Sequence, residues 1–147
     1  MIIKRHTYKD LTAAITSKTV VFPGDPTFEA RQVSSIGGKS FFNLSEMRMC
    51  NHMETHIDFP AHVLKQGKTS SDYSIQDIIG DGIILELPLT KKTISKSFVD
   101  KQNILENDFV FFKTSNSNLS KHENLSDSYV YIEPDAAIAL LEKKCVL

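Results

Sequence analysis

Short apolar runs separated by polar turns recur along the chain, a pattern typical of an α/β protein. Two strand-like segments, residues 28–36 and 39–50, flank a turn at Gly37–Gly38 and predict a β-hairpin. Dense apolar runs at residues 82–88 and 107–115 predict two buried strands. Residues 20–26 predict a short strand that ends in a turn at Pro23 and Gly24.

Helical patterns occupy two segments in the second half of the chain. Residues 74–82 predict a short helix capped by Ser74, and residues 133–144 predict a longer one with Pro134 in its first turn. Between them, the Ser- and Asn-rich residues 114–128 predict a long surface loop. Residues 145–147 resemble the start of a buried strand. This pattern favours the interpretation that the chain was cut from a longer protein over the alternative that these residues form a short apolar tail packed on the core.

Composition narrows the function classes. The 147 residues carry a net charge of −1, with 41% hydrophobic and 24% charged residues. This balance offers no electrostatic reason to bind nucleic acid or an anionic membrane, and no apolar run is long enough to cross a bilayer. Two cysteines form no disulfide framework, and the start lacks a secretory signal, so a cytoplasmic protein with a single domain over residues 1–147 is expected.

The candidate chemistry lies in residues 51–62, NHMETHIDFPAH, which contain three of the five histidines. His52, His56, Asp58 and His62 share parity, and mostly apolar residues occupy the alternate positions. A flat strand would separate His52 from Asp58 by roughly 20 Å, so the chain must curl there. A helical turn would stack His52 over His56, and a bend before Pro60 would bring Asp58 inward.

The cluster allows two interpretations. The histidines are either scattered surface or core residues, or they hold a divalent metal; four such groups in eleven positions favour the metal. The spacing differs from the zinc-protease motif H-E-x-x-H, because Glu54 stands two residues before the second histidine and one residue before Thr55.

The cluster also resembles the signature H-x-G-T-H-x-D-x-P-x-H of the cyclase-like metal-dependent hydrolases, a family that includes bacterial kynurenine formamidase. The chain has H-M-E-T-H-I-D-F-P-A-H, which differs only at Glu54. Further similarity covers DLT at 10–12, FPGDP at 22–26, DFVFFKTS at 108–115 and the helix at 133–144. The similarity extends over the whole chain but over only about two-thirds of a typical family member.

The resemblance implies a swivelling β/β/α-type α/β fold with a mixed central sheet and assembly as a homodimer or homotetramer. It implies that His52, His56 and Asp58 are metal ligands, that His62 is the catalytic proton donor and acceptor, and that Phe22 contacts substrate. The expected ion is Zn²⁺, with Mn²⁺ as an alternative.

Three departures from the family pattern bear on these implications. The family completes its site with a histidine and a glutamate from a C-terminal segment that this chain lacks. At position 54, glycine would permit a positive φ, a conformation that would strain glutamate; alternatively, the carboxylate of Glu54 joins the metal shell. Phe22 replaces a tryptophan and so lacks the indole N–H donor.

The function expected is hydrolysis of a small amide, such as an aryl formamide, by a metal-activated water with His62 as general acid and base. Phe22, Phe41, Phe42 and Phe59 would form an aromatic wall or simply pack in the core. The alternative is a shortened, non-catalytic family member that binds one metal or none and acts in assembly.

Overall fold

The computed structural model describes residues 9–38, 40–121 and 129–146. The chain divides into two compact units, with the boundary between Gly67 and Lys68. The single domain over residues 1–147 stays a prediction. Within the described residues, no helix has the length and apolar character needed to span a bilayer.

The first unit contains the predicted β-hairpin. Strands β1 (Glu29–Ser34) and β2 (Leu44–Arg48) pair antiparallel, with an irregularity in register between Gln32 and Ser34. Gly37, in the connection, has φ +91°, a conformation that glycine adopts at little cost. Both strands are largely exposed, so they are held mainly by their pairing with each other rather than by burial.

The segment before the hairpin forms the predicted turn but not the strand predicted to precede it. The backbone N–H of Asp25 donates to the carbonyl of Phe22 at 2.9 Å, and Gly24 has φ +99°. The predicted turn is therefore confirmed, whereas the predicted strand at residues 20–22 is wrong. Pro23 offers no backbone N–H donor for a strand ladder, so the chain turns here.

The second unit is built from parallel strand pairs and two α-helices. Strand β3 (Gly82–Glu86) is followed by β4 (Thr93–Ile94) and α1 (Lys96–Asp100), and then by β5 (Phe109–Lys113), β6 (Tyr131–Ile132) and α2 (Pro134–Glu142). Strand β3 pairs with β5, and β4 pairs with β6. The predicted strands at 82–88 and 107–115 and the predicted helix at 133–144 are confirmed.

The core of the second unit lies on one side of the β3–β5 pair. Leu85 is buried there, whereas Ile84 and Phe111 on the opposite face are 66% and 58% exposed. The prediction that both strands are buried therefore holds for one face only, because a dense apolar run does not reveal how many faces are covered. The buried core residues are Leu85, Leu87, Ile94, Val99, Ile104, Val130, Ala136, Ala139 and Leu140.

The chain turns back to the sheet after α2. Lys144 has φ +53°, and the backbone N–H of Val146 donates to the carbonyl of Asp108 at 2.9 Å. Val146 forms an isolated parallel bridge with Phe109 of β5, and the expectation that residues 145–147 start a strand stays a prediction. Leu147 lies outside the described residues.

Short 3₁₀ helices occupy the connections of the second unit. One covers Ser70–Asp72, and the predicted helix after Ser74 is a 3₁₀ helix at Ile75–Ile78. The predicted long loop begins with a third, Ser115–Lys121, while residues 122–128 lie outside the described part of the chain. The side chain of Asn116 donates to the carbonyl of Val130 and accepts from its N–H, at 2.8 and 2.7 Å, so it ties the two ends of this loop together.

Candidate metal centre

The loop that carries the histidine cluster is a series of bends rather than a helical turn. Residues 51–55 are all bends, and Glu54 has φ +52°. Met53 is only 3% exposed, so it anchors the loop while its neighbours remain accessible. The predicted helical turn is therefore wrong, but the predicted positive φ at position 54 is confirmed. The left-handed residue supplies the curl that a helix would have supplied.

This curl brings three potential ligand atoms together. Nδ1 of His52 lies 2.9 Å from Nε2 of His56 and 3.2 Å from Oδ1 of Asp58. Nε2 of His56 lies 3.6 Å from the same carboxylate oxygen. Among the described residues, His52, His56 and Asp58 are the group of histidine, cysteine and acidic side chains close enough to share an ion.

The dimensions of this triangle suit a divalent cation. Its three sides give a circumradius of about 1.9 Å, so a point about 2.1 Å from all three atoms exists on either side of its plane. Protein ligands bind Zn²⁺ at about 2.0–2.2 Å through imidazole nitrogen and carboxylate oxygen. Both the distances and the chemistry of the donor set therefore fit such an ion.

Hydrogen bonding orients His56 toward the triangle. Its Nδ1 lies 2.6 Å from the carbonyl oxygen of Glu54, which can only accept, so Nδ1–H donates. In the neutral ring, Nε2 then carries the lone pair that faces His52 and Asp58. The side chains of His52, His56 and Asp58 are 40%, 26% and 47% exposed, which leaves an approach open from solvent.

His62 lies beside the triangle and outside it. Phe59 is extended, with φ −82° and ψ 157°, and the 3₁₀ helix Pro60–His62 begins directly after it. Phe59 avoids the helical region, as expected for a residue before proline, but the predicted bend before Pro60 is wrong, because the bends lie at residues 51–55 instead. The ring of His62 stacks on that of His52, with centroids 5.0 Å apart and planes 7° from parallel. Its role in proton transfer stays a prediction.

The remaining candidate residues do not belong to the triangle of potential ligand atoms. Phe22 is 62% exposed next to its turn, and its contact with substrate stays a prediction. Phe41 is 99% exposed, so the alternative of core packing does not hold for it. Glu54 does not belong to the group of clustered potential ligand atoms. The thiol of nearby Cys50 donates to the carbonyl oxygen of His52 at 3.6 Å.

Two supporting residues were not identified from the sequence. Oγ1 of Thr55 accepts from the backbone N–H of Ala13 at 2.9 Å, which ties the segment near the N-terminus to the histidine loop. Gly67 packs directly on the backbone of Pro60 and Ala61, and a Cβ there would overlap both residues. The threonine in the H-x-G-T-H signature could have drawn attention to Thr55. A lone glycine near a turn gives little indication that Gly67 packs closely on the backbone.

Comparison with known proteins gives consistent family matches. Residues 9–147 match the Cyclase family, described as "Putative cyclase". Kynurenine formamidase of Salinibacter ruber is 28% identical over 137 residues, which is 90% of this chain and 63% of that protein. Kynurenine formamidase of Bacillus anthracis is 25% identical over 141 residues, covering 96% of this chain and 66% of that protein.

Solved structures show the same similarity in three dimensions. A potential metal-dependent hydrolase with cyclase activity superimposes with a TM-score of 0.76 at 27% identity, over 93% of this chain and 63% of that one. A predicted metal-dependent hydrolase from Bacillus stearothermophilus gives a TM-score of 0.72 at 27% identity, over 93% and 64%. These neighbours confirm the predicted α/β fold class. The chain thus spans a little under two-thirds of the length of these matched proteins.

Proposed function

The chain belongs to the Cyclase family, and on that premise we propose that it is a metal-dependent hydrolase of small aryl amides, similar to kynurenine formamidase. The observation that carries the proposal is the triangle of His52 Nδ1, His56 Nε2 and Asp58 Oδ1. Two imidazoles and a carboxylate suit Zn²⁺ first, and Mn²⁺ accepts the same ligands.

The ion would occupy the triangle, and the three side chains would fix its position. When bound, a divalent cation activates a water molecule and polarises the carbonyl under attack. His52 and His56 would hold the ion through Nδ1 and Nε2, which already lie 2.9 Å apart, so loading would need little reorientation. Asp58 supplies the negative charge that partly neutralises the cation.

Proton transfer is assigned to His62. Its ring stacks on that of His52, which places it next to the triangle without making it a ligand. An imidazole can accept a proton from the attacking water and return it to the leaving amine near neutral pH. Phe22 is assigned to the aromatic part of the substrate, because its exposed ring offers a flat apolar surface.

Turnover of N-formylkynurenine in the presence of Zn²⁺ or Mn²⁺ tests this function. We expect activity that a chelator abolishes and that the added metal restores, with loss of roughly 10²–10⁴-fold in the His62→Ala variant. The variant should still bind metal, since His62 is outside the triangle. His122→Ala serves as the control histidine outside residues 51–62. If the metal-loaded chain showed no turnover, the result would favour the alternative, a non-catalytic family member that acts in assembly.

The proposal also includes self-association as a dimer or tetramer. The β1–β2 hairpin region exposes apolar side chains in close succession, with Phe41 at 99% and Met47 at 69% exposure. Exposed apolar surface commonly marks protein interfaces, so this region is assigned to self-association. Light scattering coupled to gel filtration would show a dimer or tetramer, and a monomer at high micromolar concentration would contradict this part.

A further inference from the structure

We infer that two copies of this chain associate edge to edge through β2, with the two β2 strands antiparallel and a two-fold axis at Met47. The inference rests on the proposed self-association and extends it by naming the strand, the register and the side chains that pair. The partner that this edge fits is a second copy of the chain.

The β1–β2 hairpin has little support from the rest of the described chain. All residues of β2 are exposed, and in β1 only Ser34 is partly buried. Among the described residues, no backbone hydrogen bond links either strand to a segment outside the hairpin. An isolated two-stranded hairpin is only marginally stable in water, and its unpaired edges are available to further strands. The hairpin is therefore expected to gain a strand from another molecule.

Each strand of the hairpin carries a glutamate and an arginine two residues apart. Glu29 and Arg31 lie in β1, and Glu46 and Arg48 lie in β2. Across the antiparallel pair, Arg31 is opposite Glu46 at 2.6 Å between their charged groups, and Glu29 is opposite Arg48 at 4.0 Å. When two strands with this pattern run antiparallel, each glutamate can therefore face an arginine, which favours the pairing.

Strand β2 has the same complementarity with a copy of itself. Side chains alternate between the faces of a strand, so a two-fold axis perpendicular to the sheet must pass through one residue and its copy. With Met47 on the axis, Glu46 faces Arg48 of the partner subunit at two symmetric positions. Moving the axis by one residue places either two glutamates or two arginines opposite each other, which is unfavourable. The charges therefore select the register at Met47.

This register orders both faces of the four-stranded sheet that results. On one face, glutamate and arginine alternate across all four strands. On the other face, Met47 meets the partner subunit's Met47, and Ala30 lies next to it in the same chain. Met47 is exposed in the single chain, so the pairing covers apolar surface. The same register on β1 would place only the methyl group of Ala30 at the axis, which favours β2.

Reciprocal charge swaps in the full chain test the register. Glu46→Arg gives β2 two arginines and Arg48→Glu gives it two glutamates, so each variant alone places like charges opposite each other twice. We expect dimerisation of each, measured by sedimentation velocity at low ionic strength, to weaken roughly 10–100-fold. An equimolar mixture restores opposite charges at both positions and should dimerise about as tightly as the original chain.

The matched control variants are Glu29→Arg and Arg31→Glu on β1. They make the same changes in charge and disrupt the same two ion pairs within the hairpin. We expect both to dimerise like the original chain, with no gain on mixing. Weakened dimerisation that mixing restores only for the β1 variants would place the interface on β1 and overturn the inference.

Hydrogen exchange of the original chain provides a measurement that needs no variant. In the dimer, the outward-facing amides of β2 should gain protection relative to the dilute monomer, whereas those of β1 should not. Unchanged exchange in β2, or swaps that dimerise as tightly alone as mixed, would overturn the inference and leave self-association standing. A chain that stays monomeric would refute both, while turnover of the amide substrate tests the proposed hydrolase separately.

Discussion

The turn after α2 offers a quantitative test of the backbone energetics, through Lys144→Gly. Lys144 occupies the position after the helix cap with φ +53°, where glycine is the usual residue. Its backbone carbonyl accepts from the N–H of Asn107 at 3.1 Å, so the surrounding structure holds this conformation in place. The substitution therefore relieves a local cost and leaves the turn unchanged.

The expected magnitude follows from two opposing effects. The left-handed conformation costs a residue with a Cβ about 1–2 kcal/mol, and glycine avoids this cost. Glycine loses about 0.5–1 kcal/mol more in conformational entropy on folding. The ion pair from Nζ of Lys144 to Glu106, at 3.4 Å between exposed side chains, contributes little. We therefore expect a net gain of about 0.5–1 kcal/mol, or a two- to fivefold shift of the unfolding equilibrium.

Urea unfolding followed by circular dichroism measures this gain, with Lys144→Ala as the matched variant. Alanine also removes the ion pair, but it retains the Cβ and hence the backbone cost. The glycine variant should be the most stable of the three chains. A glycine variant no more stable than the alanine variant would show that the left-handed conformation carries no such cost, and would refute the reasoning.

Three further predictions concern other parts of the chain. Gly67→Ala should lower stability and displace the 3₁₀ helix Pro60–His62, since a Cβ would overlap its backbone; loss of the His62–His52 ring-current shifts in NMR spectra would reveal this, and unchanged shifts would contradict it. Leu140→Ala should lower the free energy of unfolding, measured with a chemical denaturant, by about 2–5 kcal/mol, because Leu140 is fully buried. Leu141 is exposed, so Leu141→Ala should have only a small effect; an equally small effect of Leu140→Ala would contradict the assigned core. Hydrogen bonds from the backbone N–H and hydroxyl of Ser74 hold the pKa of Asp77 below its usual value, so its stabilising contribution is present above about pH 4 and is lost as pH falls through the lowered pKa; an NMR titration that gives the ordinary value would refute this.

Local patterns predicted the elements whose determinants lie close in sequence. The hairpin, the β3 and β5 strands and α2 each follow from a short window with a clear apolar period or end signal. Burial was less predictable, because Ile84 and Leu85 are adjacent and equally apolar, yet only Leu85 is covered. Which face of a strand is covered depends on long-range packing, and no local window contains that information.

At the site, residue types and spacing predicted the three side chains that cluster but gave the wrong backbone path. A helical turn and a loop of bends can both bring His52 next to His56, and only the left-handed Glu54 decides between them. Gly67 shows the same limit, since its contact with the Pro60–Ala61 backbone appears only once the chain is folded.

Anomalous scattering at the zinc edge from crystals grown with Zn²⁺ would locate the ion directly. We expect a peak about 2.0–2.2 Å from Nδ1 of His52, Nε2 of His56 and a carboxylate oxygen of Asp58. An ion bound elsewhere, with these three side chains turned away from one another, would contradict it.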